Sequence, residues 1–415
     1  MSDPTFGISI TRIDNEPRPA VYSDMSVVGL IGTAPEADPA VFPLDTPVFL
    51  YSDDAAKRTA LGTQGTISDA LNLINAQLDE FQVAAKVVVV RVDEGLTADA
   101  TIASIVGDGI STGLEAFVQA GPLLGVIPRL ICAPGFTSQR TGTDANAVCA
   151  ALPALCNKLL AHAVVDGPAT TEQAAIDWRE TISSSRLIPV DPAVRVMAGS
   201  EVAVMPLSPA VIGIGVRRDH EEQGRPFHSW ANQPVVGIVG PSRPINFSLT
   251  DGATEGQRLL SHNVGILLRG ELGVETAIAS GGFVYVGTDN AGEDDLWRFY
   301  NVTRGRDYIH LMFLRTLRFY LGRFNLNGQT IQAVLNTMGF AMRDLKADGD
   351  ILGYEVKFTR DQNSAEELRQ GRFTVNFAAE EAPVLRYLGI QSARYRPALD
   401  ALLDDLLAQV DAVTG

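Results

Sequence analysis

Cysteine is scarce: Cys132, Cys149 and Cys156 are the only three in 415 residues. Three thiols cannot build a disulfide framework. Cys149 and Cys156 share helical spacing with Leu152 and Leu159, which assigns them to core packing, with a cross-link between copies as the alternative. Long apolar runs are missing too. No stretch approaches the roughly 20 residues of a membrane helix, so no stable membrane insertion is expected. No basic-then-apolar segment opens the sequence, and folding in a cytoplasm is the expectation. Positive charge is in short supply: 33 Lys and Arg against 49 Asp and Glu leave a net charge of −16. A general nucleic-acid binder needs cations to displace counterions, so no direct nucleic-acid partner is expected. Phosphate-cradling motifs are absent as well. There is no G-x-x-x-x-G-K-[ST], and Gly213-Ile214-Gly215 lacks the third glycine of a dinucleotide fingerprint. No cofactor is expected.

What is present reads as a globular chain of two or three domains, with 46% hydrophobic and 20% charged residues. "MSVVGLIGTAP" is a buried strand. Ile67, Leu71, Ile74 and Leu78 then mark an amphipathic helix from near Thr66, and Lys86–Val92 is a β-branched run suited to a strand covered on both faces. Thr112 to Glu115 has capping-box spacing and predicts a helix to Gln119. "PRLICAPG" and "HAVVDGP" are strands, alternating with helices over 144–160 and 171–182. This is the pattern of an α/β domain with a largely parallel sheet. After Trp230 the texture turns Pro- and Gly-rich. "GGFVYVG" and "WRFYNVTR" read as strands, and two helices follow over about 305–321 and 328–345. "ILGYEVKFTR" and "GRFTVNFAAE" complete an antiparallel α+β unit. Both ends carry strand-like segments with no local partner. Phe6, Ile8 and Ile10 alternate with small residues ahead of a Pro-rich hinge. Leu385, Tyr387, Ile390 and Tyr395 lie in an extended stretch before a helix with the stripe Leu399, Leu402, Leu406 and Val410.

Three clusters invite a chemical reading. Gly109-Ile-Ser111-Thr-Gly113 matches a hydrolase nucleophile elbow, with Ser111 as nucleophile, but the preceding segment makes a poor strand and a five-residue pattern with two glycines arises easily in a chain with 38 of them. Capping by Ser111 and Thr112 needs no further partner. His220, Glu221, Glu222 and His228 share a loop without regular metal-ligand spacing, so no metal site is expected there. Arg298, Arg304, Arg306, Arg315, Arg318 and Arg323 crowd one stretch with no lysine among them. Arginine suits bidentate carboxylate pairing, which leaves a protein interface or internal ion pairs. Arg304, Arg306, Arg315 and Arg318 are the candidate interface arginines.

Several motifs in order give the sequence a family likeness: "TGLEAFVQAGPLLGVIPRLICAPG", "HAVVDGP", "GVRRDHEEQGRPFHSWANQPVVGIVG", "WRFYNVTRGRDYI" and "NSAEELRQGRFTVNF". Over roughly residues 25–395 the chain resembles the contractile tail sheath proteins of myophages and phage-tail-like bacteriocins. It departs from them at Arg304-Gly305, where Arg-Arg or Arg-Thr is common, and in the acidic C-terminal helix. The resemblance implies a structural subunit and no enzyme. It implies helical rings of copies around an inner tail tube, contraction that drives the tube through an envelope without nucleotide hydrolysis, and further contacts with baseplate and tail terminator proteins. Its place would be the virion tail sheath, assembled in a bacterial host cytoplasm. A bacteriocin or secretion-type injection system is the alternative to a phage, and an α/β hydrolase using Ser111 or a small-molecule-binding α/β protein the alternative of another class. The implied organisation is an N-terminal strand-exchange arm over 1–20, an α/β outer domain over 21–235, an α+β sheath core domain over 236–380, and a C-terminal arm and helix over 381–415.

Overall fold

A computed structural model describes residues 20–414 of the chain, so the expected strand bearing Phe6, Ile8 and Ile10 lies outside the described residues. Six strands form the main sheet: β1 (Val28–Gly32), β2 (Pro47–Tyr51), β3 (Lys86–Arg91), β4 (Leu130–Cys132), β5 (His162–Asp166) and β6 (Leu187–Val190). Their order is β2-β3-β1-β4-β5-β6, parallel throughout except for the β2–β3 edge pair. The valine run behaves as its composition requires. Val87 and Val89 join one buried cluster, Val88 and Val90 the other, and all four are fully buried.

Helices cover both faces: α1 (Ala55–Leu61), α2 (Thr66–Ala76), α3 (Ala98–Val106), α4 (Ala120–Leu124), α5 (Ala147–Leu159), α6 (Glu172–Arg179) and α7 (Ser208–Glu221). α2 and α7 share a cluster with Val28, Leu30 and Leu130, while α3 and α5 share one with Ile31, Ile131 and Val165. The glycines of Gly213-Ile214-Gly215 lie inside α7. They let neighbours approach: a Cβ at Gly213 would come within 2.8 Å of Gln77, and one at Gly215 within 2.7 Å of Trp230. All three cysteines are free and buried, as core packing requires.

A hairpin of β7 (Val194–Ala198) and β8 (Glu201–Met205) follows β6, and short β9 (Gln233–Pro234) and β10 (Gly240–Pro241) return to pair across the chain. After α8 (Glu255–Ser261), β11 (Ile266–Arg269) and β12 (Phe283–Val286) form a sheet with β9. Next come α9 (Tyr300–Leu317), α10 (Gly328–Ala347), β13 (Ile351–Lys357), α11 (Ala365–Arg369) and β14 (Asn376–Glu381), and last α12 (Pro397–Thr414). α9 and α10 bury Ile309, Met312, Met338 and Met342 in one cluster, against which Tyr354 of β13 and Phe377 of β14 pack. The described residues up to Val384 form one compact unit, and those from Leu385 form a second.

Two expectations are corrected. "WRFYNVTR" is not a strand: Asp295–Trp297 is a 3-10 turn and Tyr300 already begins α9. Asn301, Thr303 and Arg304 are buried there, with Asn301 donating to the Phe227 carbonyl, so the helical period is hidden. Thr112 does not cap a helix. Its hydroxyl accepts from the Asp108 amide, and Gly113–Gln119 is 3-10.

Candidate assembly surface

The fold does not give Ser111 the setting that a nucleophile elbow needs. Gly109–Gly113 follows helix α3, whereas a nucleophile elbow needs a strand before its serine. Asp108 organises this exposed turn: its carboxylate accepts the amides of Ile110, Ser111 and Thr112 and the Ser111 hydroxyl at 3.3 Å, and these bonds hold it well below the usual carboxylate range. Ser111 is thereby part of a turn. Among the described residues no group of three or more His, Cys, Asp or Glu is placed to hold a metal ion. His220 and Glu221 end α7, and Arg218 pairs with Glu221 and Glu222.

In a sheet wound this way, ligands usually enter beyond the carboxyl ends of the strands where strand order reverses, here between β1 and β4. Pro206 and Thr66 close on Gly135, leaving 3.9 and 4.0 Å to where a Cβ would stand. Asp166, at the end of β5, accepts the Ser208 amide at 2.7 Å and its hydroxyl at 2.5 Å, tying down the start of α7. Burial outweighs these bonds and pushes the Asp166 carboxyl up to about 6.

The arginine cluster divides into internal and outward members. Arg304 is fully buried, with its guanidinium on both Asp219 oxygens at 3.1 and 2.6 Å and 4.9 Å above the Trp230 ring. It has no surface to offer a neighbour, so its candidacy as an interface residue is corrected: it belongs to the internal ion pairs. Arg306 likewise chelates Glu381 at 2.6 and 2.9 Å and reaches the Ala379 carbonyl at 2.7 Å. Arg315 and Arg318 are exposed, and Arg315 donates to the Tyr22 carbonyl at 2.8 Å. Asp219 and Glu381 were not singled out from the sequence. A lysine-free arginine cluster was the available signal that buried carboxylates stood opposite.

At the carboxyl end, β13 and β14 form a sheet of only two strands, each with an outer edge unpaired among the described residues. Residues 382–395 carry no regular secondary structure. Leu385, Tyr387, Ile390 and Tyr395 are 78, 85, 84 and 76% exposed. In α12, Leu399, Leu402 and Leu406 are exposed too.

The fold is one found in contractile sheaths of known structure. It matches the sheath of an extracellular contractile injection system in its contracted state, the PVC sheath complex, with a TM-score of 0.68 at 14% identity over 96% of this chain and 99% of that one. No family model matches the chain. Its sequence is 27% identical over 383 residues to a protein of Pseudomonas aeruginosa (strain UCBPP-PA14) named as a prophage major tail sheath protein, covering 91% of this chain and 93% of that protein. It is 26% identical over 406 residues to the tail sheath protein of Escherichia phage P2, covering 94% and 96%. Over nearly its whole length the chain is thus similar to contractile tail sheath proteins, in sequence to these relatives and in fold to the solved sheath.

Proposed function

We propose that the protein is the polymerising subunit of a contractile sheath: copies stack as helical rings around an inner tube and shorten to drive that tube through a cell envelope, without nucleotide hydrolysis. The observation that carries this reading is the pairing of an unfinished sheet with unspent strand-like segments. The β13–β14 hairpin offers two open edges, and the segment with Leu385, Tyr387, Ile390 and Tyr395 has the exposed apolar side chains that strand addition would cover. Strand addition holds partners through backbone hydrogen bonds, which tolerate changes of tilt better than a shape-matched surface does. It also protects edges that would otherwise pair indiscriminately. In this reading 1–20 and 381–415 are arms, 236–380 is the core of the sheath and 21–235 its outer part. Phe6, Ile8 and Ile10 supply the N-terminal strand, and Arg315 and Arg318 face a neighbouring copy or the tube. Baseplate and terminator proteins cap the ends.

The test is negative-stain microscopy of the purified protein, alone and lacking residues 1–16. Striated tubes of uniform width from the full chain, and folded but unassembled subunits from the shortened one, are expected. Compact monomers from the full chain at high concentration would overturn the reading. A phage and an injection system predict the same tubes; neighbouring capsid genes separate them.

A further inference from the structure

Helix α9 touches the start of the described chain on one side and its last core strand on the other. At about 100° per residue, Arg304, Tyr308 and Arg315 fall within roughly 40° of one another, and Arg306, His310 and Phe313 form a second group about 180° away. The first group holds residues 21–25. Arg304 donates to the Met25 carbonyl at 3.3 Å and Arg315 to the Tyr22 carbonyl at 2.8 Å. Tyr22 stacks on Tyr308 with centroids 5.7 Å apart and planes 8° apart. Two further contacts lock the register: the Val21 amide donates to the Thr316 hydroxyl at 3.0 Å, and Ser26 donates to Asp219, the partner of Arg304, at 3.1 Å. Met25 is fully buried in the α9–α10 cluster.

The second group holds β14. Phe377 meets Phe313 edge-on at 5.1 Å and His310 at 5.8 Å. Arg306 binds Glu381 and the Ala379 carbonyl, and Asn301 donates to the Ala382 carbonyl at 3.3 Å. α9 therefore holds residues 21–25 mainly on one face and β14 mainly on the opposite one, with Thr316 and Asn301 gripping Val21 and Ala382 from the flanks between.

We propose that α9 is a crossbar fixing the roots of both terminal segments, so that a pull entering through one segment crosses a single helix to reach the other. This rests on the sheath reading for the source of the pull, but the anchoring stands on the contacts alone. A helix suits the task because its backbone bonds run along one axis and its cross-section does not yield as a loop would.

The test uses the full-length protein. Tyr22→Ala with Arg315→Ala removes a ring stack and a charged hydrogen bond at exposed or half-exposed positions, and Thr316→Val removes one hydrogen bond at near-constant volume. Glu381→Gln with Arg306→Gln loosens the other root while leaving no unpaired charge. Amide hydrogen exchange should rise about tenfold at residues 20–26 in the first two variants, and at 379–384 in the third, with global melting little changed. Tubes formed by these variants should be short or fail to contract. Unchanged exchange at either root would overturn the anchoring. Faster exchange with wild-type contraction would overturn the transmission of force. Absence of tubes from the wild-type protein would sink the sheath reading itself, and the exchange data would still decide whether α9 holds both roots.

Discussion

Asp219→Ala tests what holds the centre of the protein together. Arg304 is fully buried and the Asp219 side chain is 2% exposed. Two charge-assisted bonds, a carbonyl contact and the Trp230 face together neutralise the guanidinium. Removing Asp219 strands a buried cation that cannot shed its proton, and breaking such a pair costs about 3–5 kcal/mol. Arg304→Met alone leaves Asp219 with the Ser26 hydroxyl but without its cation, and a buried carboxylate can neutralise itself by taking a proton, so its cost should be smaller. With both residues replaced, by Leu at 219 and Met at 304, no charge is left uncompensated. That double variant should recover at least half of the single-site loss, since apolar replacements of buried pairs are often close to neutral. Urea unfolding followed by tryptophan fluorescence is the assay, at one protein concentration because assembly would add stability by mass action. Trp230 reports directly on the site. An Asp219→Ala cost below about 1 kcal/mol, or a double variant no better than the worse single, would refute the argument.

Two further outcomes follow from burial. Asp166, held up at about 6 against an ordinary 3.8, contributes stability that is fully present at low pH and lost as pH rises through that window, a loss on the order of 3 kcal/mol. Asp166→Asn should therefore gain stability relative to wild type between pH 4 and 6.5, and a pH-independent difference in urea midpoints would refute the assignment. Gly305 lies in α9 where a Cβ would approach the Phe227 ring to 2.5 Å. Gly305→Thr should destabilise by about 1–3 kcal/mol through overpacking, and an unchanged urea midpoint would show that the ring can move aside.

The sequence made the doubly covered sheet legible because β-branched runs such as Lys86–Val92 have no other stable place, and the structure puts the run there. The β13–β14 hairpin was legible for the same kind of reason: alternation survives where one face is wet. α9 was misread at its start because it is buried nearly all round. Asn301, Arg304 and Asp307 sit inside it on specific partners, and polar residues at buried positions erase the amphipathic period. The β7–β8 hairpin was passed over although its two-residue Gly199-Ser200 turn carried a usable signal, with Gly199 at φ 66°. The candidate site was legible as a cluster but not as a geometry. Nothing in the order of residues says that Asp219 and Met25 converge on Arg304 from 85 and 279 positions away.

The arginine cluster also bears on how subunits of net charge −16 can meet. If all six arginines faced outward, ion pairing between copies would be the natural glue. Instead Arg298 lies on Asp289 at 2.8 Å, Arg304 on Asp219 and Arg306 on Glu381, so three of the six are spent inside the subunit. Each internal pair also removes one carboxylate from the surface, so the net charge carried outward is unchanged while the cations available for contact fall by half. In the proposed assembly, association between like-charged copies would draw on terms that charge does not oppose, namely backbone hydrogen bonds along sheet edges and burial of residues such as Leu385 and Tyr387. Ion pairs at Arg315 and Arg318 would tune such contacts, since exposed pairs contribute about 1 kcal/mol or less. The proposed linkage, made of backbone bonds and anchored on one helix, would keep its strength as subunits tilt, which a surface of matched charges would not.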